Sequence, residues 1–163
     1  MMPRPPGEGR RNDEAAADER ARRTALDAAY RATSYGVTVE DGELVARIGR
    51  HAPEIDRLLA RRGAASGTFI TGWNPMSCRT AAADNHAANA TLAAALAARG
   101  IATLPHHGRG DDPAWPAEEG FFALDLPLDD ALALARRFDQ HAIVVVRAGE
   151  PAALHWTRAA PVG

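Results

Sequence analysis

Residues 80–99 (TAAADNHAANATLAAALAAR) constrain the fold of this chain more than any other stretch. The run is mostly alanine, the best helix former, and Leu92 and Leu96 are its only large aliphatic side chains. Those two must face the core. Steps of four, three and four residues place Asn85, Asn89, Leu92 and Leu96 in a single stripe. The buried face of the helix therefore starts with two amides and finishes with two leucines. Asparagine is a poor helix former, and a buried amide needs hydrogen-bond partners. The pair implies a polar network beside the preceding segment, FITGWNPMS, residues 69–77.

The elements around this helix read as an α+β fold. A strand at 68–73 leads into it, and Gly100 stops it. A strand at 101–104, a long loop at 105–119 and a strand at 120–126 follow. A helix at 129–138, with Asp129 and Asp130 at its positive end, precedes a strand at 141–146. The order βαββαβ predicts a ferredoxin-like core with a mixed sheet, both helices lying on one face because the crossovers are right-handed. Upstream, Asn12 caps a helix from Asp13 to about Thr33, with Leu26, Ala29 and Tyr30 as its apolar edge. YGVTVEDGELVARIG predicts a hairpin about Asp41-Gly42. Pro53 opens a short helix carrying Ile55, Leu58 and Leu59, which Gly63 ends. The N-terminal helix, hairpin and short helix extend the sheet or cover its other face, and an edge strand is expected at 153–156. Residues 1–12, rich in Pro, Gly and Arg, read as a disordered tail, and 13–163 as a single domain.

Composition narrows the function. A chain of 163 residues suits one domain. Its net charge of −2 offers no attraction to nucleic acid or anionic membrane. Every basic residue is arginine, which reads as the bias of a GC-rich bacterial genome. One cysteine excludes an internal disulfide and a cysteine-rich metal site. No apolar run approaches the roughly 20 residues that span a bilayer, and no apolar signal core opens the chain. A cytoplasmic protein without cofactor or metal is expected.

The W-N-P junction supplies one wall of a candidate site. Pro75 is expected to hold Asn74 extended. Free N–H groups at the following helix start suit an anion, although no glycine-rich cradle for phosphate is present. Asn85 and Asn89 either satisfy the backbone of this irregular loop or reach a ligand beside Asn74 and Ser77. Both readings put Asn74 in contact with Asn85 or Asn89. The loop 105–119, PHHGRGDDPAWPAEE, supplies the second wall. Trp115 is too large and apolar to remain in water, so it is expected to fold back over the polar cluster and bring Glu118 or Glu119 to its edge. His106 and His107 lack metal-ligand spacing and rank below the glutamates. Gln140 reads as a buried hydrogen-bonding residue near the cluster. Cys78 lies near a helix start, but His86 points off the asparagine stripe, so nucleophilic catalysis is poorly supported.

These residues resemble a known pattern. FITGWNPMS followed by Asp84-Asn85 and Asn89, then Gly108, Trp115, Pro116 and a glutamate at 118 or 119, then Phe138 and Gln140, is similar to the bacterial family of domain of unknown function 3293 (DUF3293). The resemblance spans about residues 30–147, with Gly72 for the usual Ala and Asp84 for Glu. It implies a shared fold and brings no assigned reaction. Two functions remain. One is a non-catalytic binding or adaptor module whose polar cluster is structural and whose sheet edge or N-terminal helix meets a protein partner. The other is a small-molecule site, binding or enzymatic, lined by Asn74, Ser77, Asn85, Asn89, Trp115, Glu118, Glu119 and Gln140. A glutamate would be its general base and a small polar molecule its ligand. An open pocket or a closed interior at those side chains separates the two.

Overall fold

Helix α1 (Glu8–Ala32) already includes Asn12, so residues 8–12 are helical and not a disordered tail capped at Asn12. The rest of the expected tail, residues 1–7, lies outside the residues described in this computed structural model, which are 8–160. Glu40-Asp41 turns the chain between β1 (Ser34–Val39) and β2 (Gly42–Ala46), one residue before the expected Asp41-Gly42. Pro53 opens α2 (Pro53–Arg61), which buries Ile55, Leu58 and Leu59. A proline costs nothing there, because the first helical N–H has no partner within the helix. Then follow β3 (Ser66–Ile70), a 3-10 turn (Pro75–Ser77) and α3 (Ala82–Ala98). Gly100, at φ +69°, ends α3 in the left-handed conformation that a side chain would disfavour. The remaining elements are β4 (Thr103–Arg109), β5 (Glu118–Leu124), α4 (Leu128–Arg137), β6 (Ala142–Arg147) and β7 (Ala153–Trp156).

Among the described residues the seven strands form one sheet in the order β2-β1-β4-β5-β3-β6-β7. Every pairing of these strands is antiparallel, so the expected mixed sheet is corrected. The reason is topological. β3 and β4 run the same way, but β5 lies between them and pairs antiparallel with both. The hairpin extends the sheet, with β1 alongside β4.

The expected loop at 105–119 is also corrected, since its first five residues belong to β4. Residues 106–109 pair with β1 on one side, and residues 103–108 pair with β5 on the other. Pro105, which argues against a central strand, pairs with Phe121 just beyond the end of the β1 ladder, where its missing N–H leaves no gap in that ladder.

Strand residues alternate between two cores. On one face Ile70, Ala123, Ile143 and Val145 pack with Leu92 and Leu96 of α3 and with Ala131, Leu134 and Ala135 of α4. On the other, Phe69, Phe122, Leu124, Val144 and Val146 pack with α2 and with Tyr30 near the end of α1. Full burial of Leu92 and Leu96 stabilises the α3 contact by on the order of 2–3 kcal/mol each. The candidate site lies on the α1 face, where β3 ends.

Candidate functional site

The ladder between β3 and β5 ends at Ile70 and Phe121. Beyond it the backbone groups of the two strands need other partners, and α3 supplies them. The Gly72 N–H donates to Asn89 Oδ1 at 2.8 Å, and Asn89 Nδ2 donates to the Glu119 carbonyl at 2.9 Å. One side-chain amide thus bridges a donor and an acceptor that strand pairing no longer satisfies. Asn85 repeats the device one turn earlier. Its Oδ1 accepts from the Asn74 N–H at 2.8 Å, and its Nδ2 donates to Asn74 Oδ1 at 3.0 Å and to the Thr80 carbonyl at 3.1 Å. Gln140 Nε2 donates to the Trp73 carbonyl at 3.1 Å. Asn85 and Asn89 are 2% and 7% exposed. Both ends of each amide are turned to protein, so these two residues build the junction and do not reach ligand space.

Asn74 is held differently from the sequence expectation. Its φ of 47° and ψ of 65° are left-handed, where Pro75 was expected to keep it extended. Asparagine tolerates this region better than most residues, and the paired bonds with Asn85 hold it there. Met76 and Ser77 are also left-handed, each with φ 56°. Backbone of this kind costs on the order of 1–3 kcal/mol per residue and persists only where its surroundings over-determine it. The Asn74 side chain spans the junction, its Oδ1 facing Asn85 of α3 and its Nδ2 facing the other way. Its Nδ2 donates to Glu118 Oε1 at 2.9 Å.

Asn74 and Glu118 open onto a cavity of about 440 Å³ between the last turns of α1 and the sheet. Ser77, Trp115 and Gln140 also line it, so five of the eight sequence-predicted site residues converge there. Asn85, Asn89 and Glu119 do not. The two glutamates part because neighbouring strand residues point to opposite faces. Glu118 turns toward α1, and the Glu119 carboxylate turns toward α3, 3.5 Å from His86 Nδ1. Trp115 corrects a further expectation. It lines the cavity beside Asn74 and Glu118 but stays 40% exposed, where burial was expected. The Arg79 guanidinium lies 5.5 Å from its ring centroid, which gives the ring a partner without burial.

Sequence reasoning ranked His106 too low and read Tyr30 only as core. Both line the cavity. His106 is 5% exposed and stacks on Tyr35, with centroids 5.9 Å apart. Gly120 makes that placement possible, since a Cβ there would stand 2.7 Å from the Ile70 carbonyl oxygen and 3.1 Å from the imidazole. Burial lowers the His106 pKa to about 4, so the ring is neutral near pH 7. Its Nδ1 lies 3.0 Å from the Gly36 carbonyl oxygen, which can only accept. Nδ1 therefore carries the proton, and Nε2 presents a lone pair. Tyr30 has its pKa raised to about 12, first by burial and then by the nearby negative charge of Glu118. The period-two series Leu104, His106, Gly108 was the signal that could have placed His106 on an inward strand face.

Among the described residues no group of three or more His, Cys, Asp or Glu side chains could hold a metal ion. Cys78 is exposed and does not line the cavity. No described helix is long and apolar enough to cross a membrane. No curated protein and no solved structure matched the chain. Residues 70–143 match the family described as Protein of unknown function (DUF3293).

Proposed function

We propose, from the premise that residues 70–143 belong to the DUF3293 family and that this family carries no assigned reaction, that the chain binds a small molecule between α1 and the sheet. The observation that carries this reading is the convergence of Asn74, Ser77, Trp115, Glu118 and Gln140 on one cavity of about 440 Å³. That volume lies in the range of small-ligand pockets, which combine apolar walls with a few placed polar groups. Here Tyr35, Phe69 and Val144 supply apolar wall. Asn74 and Glu118 supply polar groups fixed by a strained turn and by each other. The adaptor reading draws on no comparable feature.

The architecture supports the same location. We read β3-α3-β4-β5-α4-β6 as a ferredoxin-like unit, with β1 and β2 added at one edge and β7 at the other. Its two crossover helices occupy one face and leave the opposite face to α1 and α2, with the cavity beneath α1. The balanced charge and single cysteine fit a cytoplasmic setting without a nucleic-acid partner.

Gly108 lies in the cavity wall, and a Cβ built on it meets its nearest neighbours at 3.7–3.8 Å, an ordinary contact. Gly108→Leu is therefore expected to fill the cavity while leaving the fold intact. In a thermal-shift screen of small polar and amphipathic compounds, those that raise the Tm of the wild type should leave that of Gly108→Leu unchanged. Equal shifts in both proteins would place the ligands elsewhere and reject this function.

A further inference from the structure

Resting on that cavity, we infer that its ligand is an organic cation, a protonated amine on an apolar and preferably aromatic body. Charge selection comes first. The chain has 19 arginines and no lysine, yet none of the described arginines lines the cavity. Its charged wall groups are the carboxylates of Glu118, Asp111 and Asp112. Arg109, next to the lining residue Gly108, is turned away onto Glu43, with its Nη1 2.7 and 2.9 Å from the two carboxylate oxygens. An anion entering here would meet three like charges. A neutral ligand would strip water from Glu118 without replacing it by an opposite charge, which is unfavourable.

A second observation is independent of charge. His106 is more than nine-tenths buried, its Nδ1 is committed to the Gly36 carbonyl, and its Nε2 has no hydrogen-bond partner among the described residues. A neutral imidazole held in this tautomer can only accept at Nε2. Glu118 adds a further acceptor, since Oε1 takes the Asn74 amide and Oε2 is unpartnered among the described residues. Glu118 and His106 also share a face. Glu118 stands opposite Gly108 and His106 opposite Gly120, so the two are diagonal neighbours across the β4–β5 pair, a separation that long side chains span. These two free sites accept hydrogen bonds, and an ammonium group supplies only donors.

The rings of Tyr30, Tyr35, Phe69 and Trp115 complete the match. They suit an apolar body and favour a cation near their faces. Trp115 already holds one cation in this way, the Arg79 guanidinium at 5.5 Å. An inorganic cation fits less well, because the acids and His106 do not gather into a metal-binding group among the described residues.

The test uses full-length protein and three bodies, phenyl, indolyl and cyclohexyl, each offered as the ethylamine, the ethanol and the acetate. Affinities are measured calorimetrically for wild type, Glu118→Gln and Gly108→Leu. At least one amine should bind about tenfold or more tightly than its alcohol, and no acetate should bind comparably. Glu118→Gln keeps an oxygen for Asn74, so the fold should hold. It should abolish the amine preference, so that each amine binds no more tightly than its alcohol. Should alcohols or acetates match the amines, or the preference survive Glu118→Gln, the cation assignment is overturned. Loss of that charge-blind binding in Gly108→Leu would still uphold the cavity. If none of the nine probes binds wild type, both the cavity and its cation are rejected.

Discussion

Asn85 and His106 are both buried polar residues, yet they do opposite work, and hydrogen-bond accounting separates them. Asn85 spends both ends of its amide on the Asn74–Thr80 turn. His106 commits one nitrogen to Gly36 and leaves the other free. The first pattern is structural, and the second leaves capacity for a ligand. His106 also makes stability depend on pH. Its folded pKa of about 4 lies below the ordinary imidazole value of 6.5. Between those values the unfolded chain binds a proton that the folded chain does not, so stability falls as pH drops from 6.5 toward 4. The gap, at about 1.4 kcal/mol per pH unit, corresponds to on the order of 3 kcal/mol. Urea unfolding from pH 7.5 to 4 should show wild type losing roughly that much more than His106→Phe, which removes the titrating ring. Parallel stability curves for the two proteins would show that His106 takes up its proton in the folded state.

At the scale of elements, legibility followed side-chain periodicity. The stripe from Asn85 to Leu96 oriented α3 and placed Asn85 against Asn74, while Asn89 meets Gly72 and Glu119 instead. Asp41-Gly42 marked the hairpin turn to within one residue, and Pro53 marked the helix start, through backbone preferences that tertiary context left alone. The last five residues of β4 were hidden because Pro105, two histidines and Gly108 have loop composition. They are strand because β1 and β5 pair with them from both sides. Such pairing is long-range, and local sequence carries no trace of it. The same limit hid the cavity, since α1 and β4 are far apart in the chain. Trp115 failed for another reason. Its size argued for burial, but a segment rich in Gly, Asp and Pro left it 40% exposed beside Arg79. Trp115→Ala should therefore shift the urea midpoint by the equivalent of less than about 1 kcal/mol. Leu92→Ala, in a fully buried position, should cost about 2–5 kcal/mol. Comparable losses from the two would contradict the exposed tryptophan.

At the scale of the molecule, two cores share one sheet. Phe69 belongs to one core and Ile70 to the other, as do Phe122 and Ala123, and Val144 and Val145. Neither core can open without removing alternate side chains of the same strands from the other. The edges are tied in as well. The Arg23 guanidinium lies 4.2 Å from the Trp156 ring centroid, and Tyr30 meets the same ring edge-on at 5.8 Å, so α1 is fastened to β7. Trp73, half-buried, packs edge-on against His86 of α3 at 4.9 Å on the other side of the sheet. A chain of this size with interlocked cores should unfold in one cooperative step. Variants retaining only Trp156 or only Trp73, the other tryptophans replaced by phenylalanine, report on the two sides separately. Within each variant, the fluorescence and far-UV circular dichroism transitions in urea should coincide in midpoint and slope. An earlier transition at Trp156 than in the dichroism of the same variant would mean that α1 and β7 detach first. The cavity beneath α1 would then form and dissolve independently of the sheet that floors it.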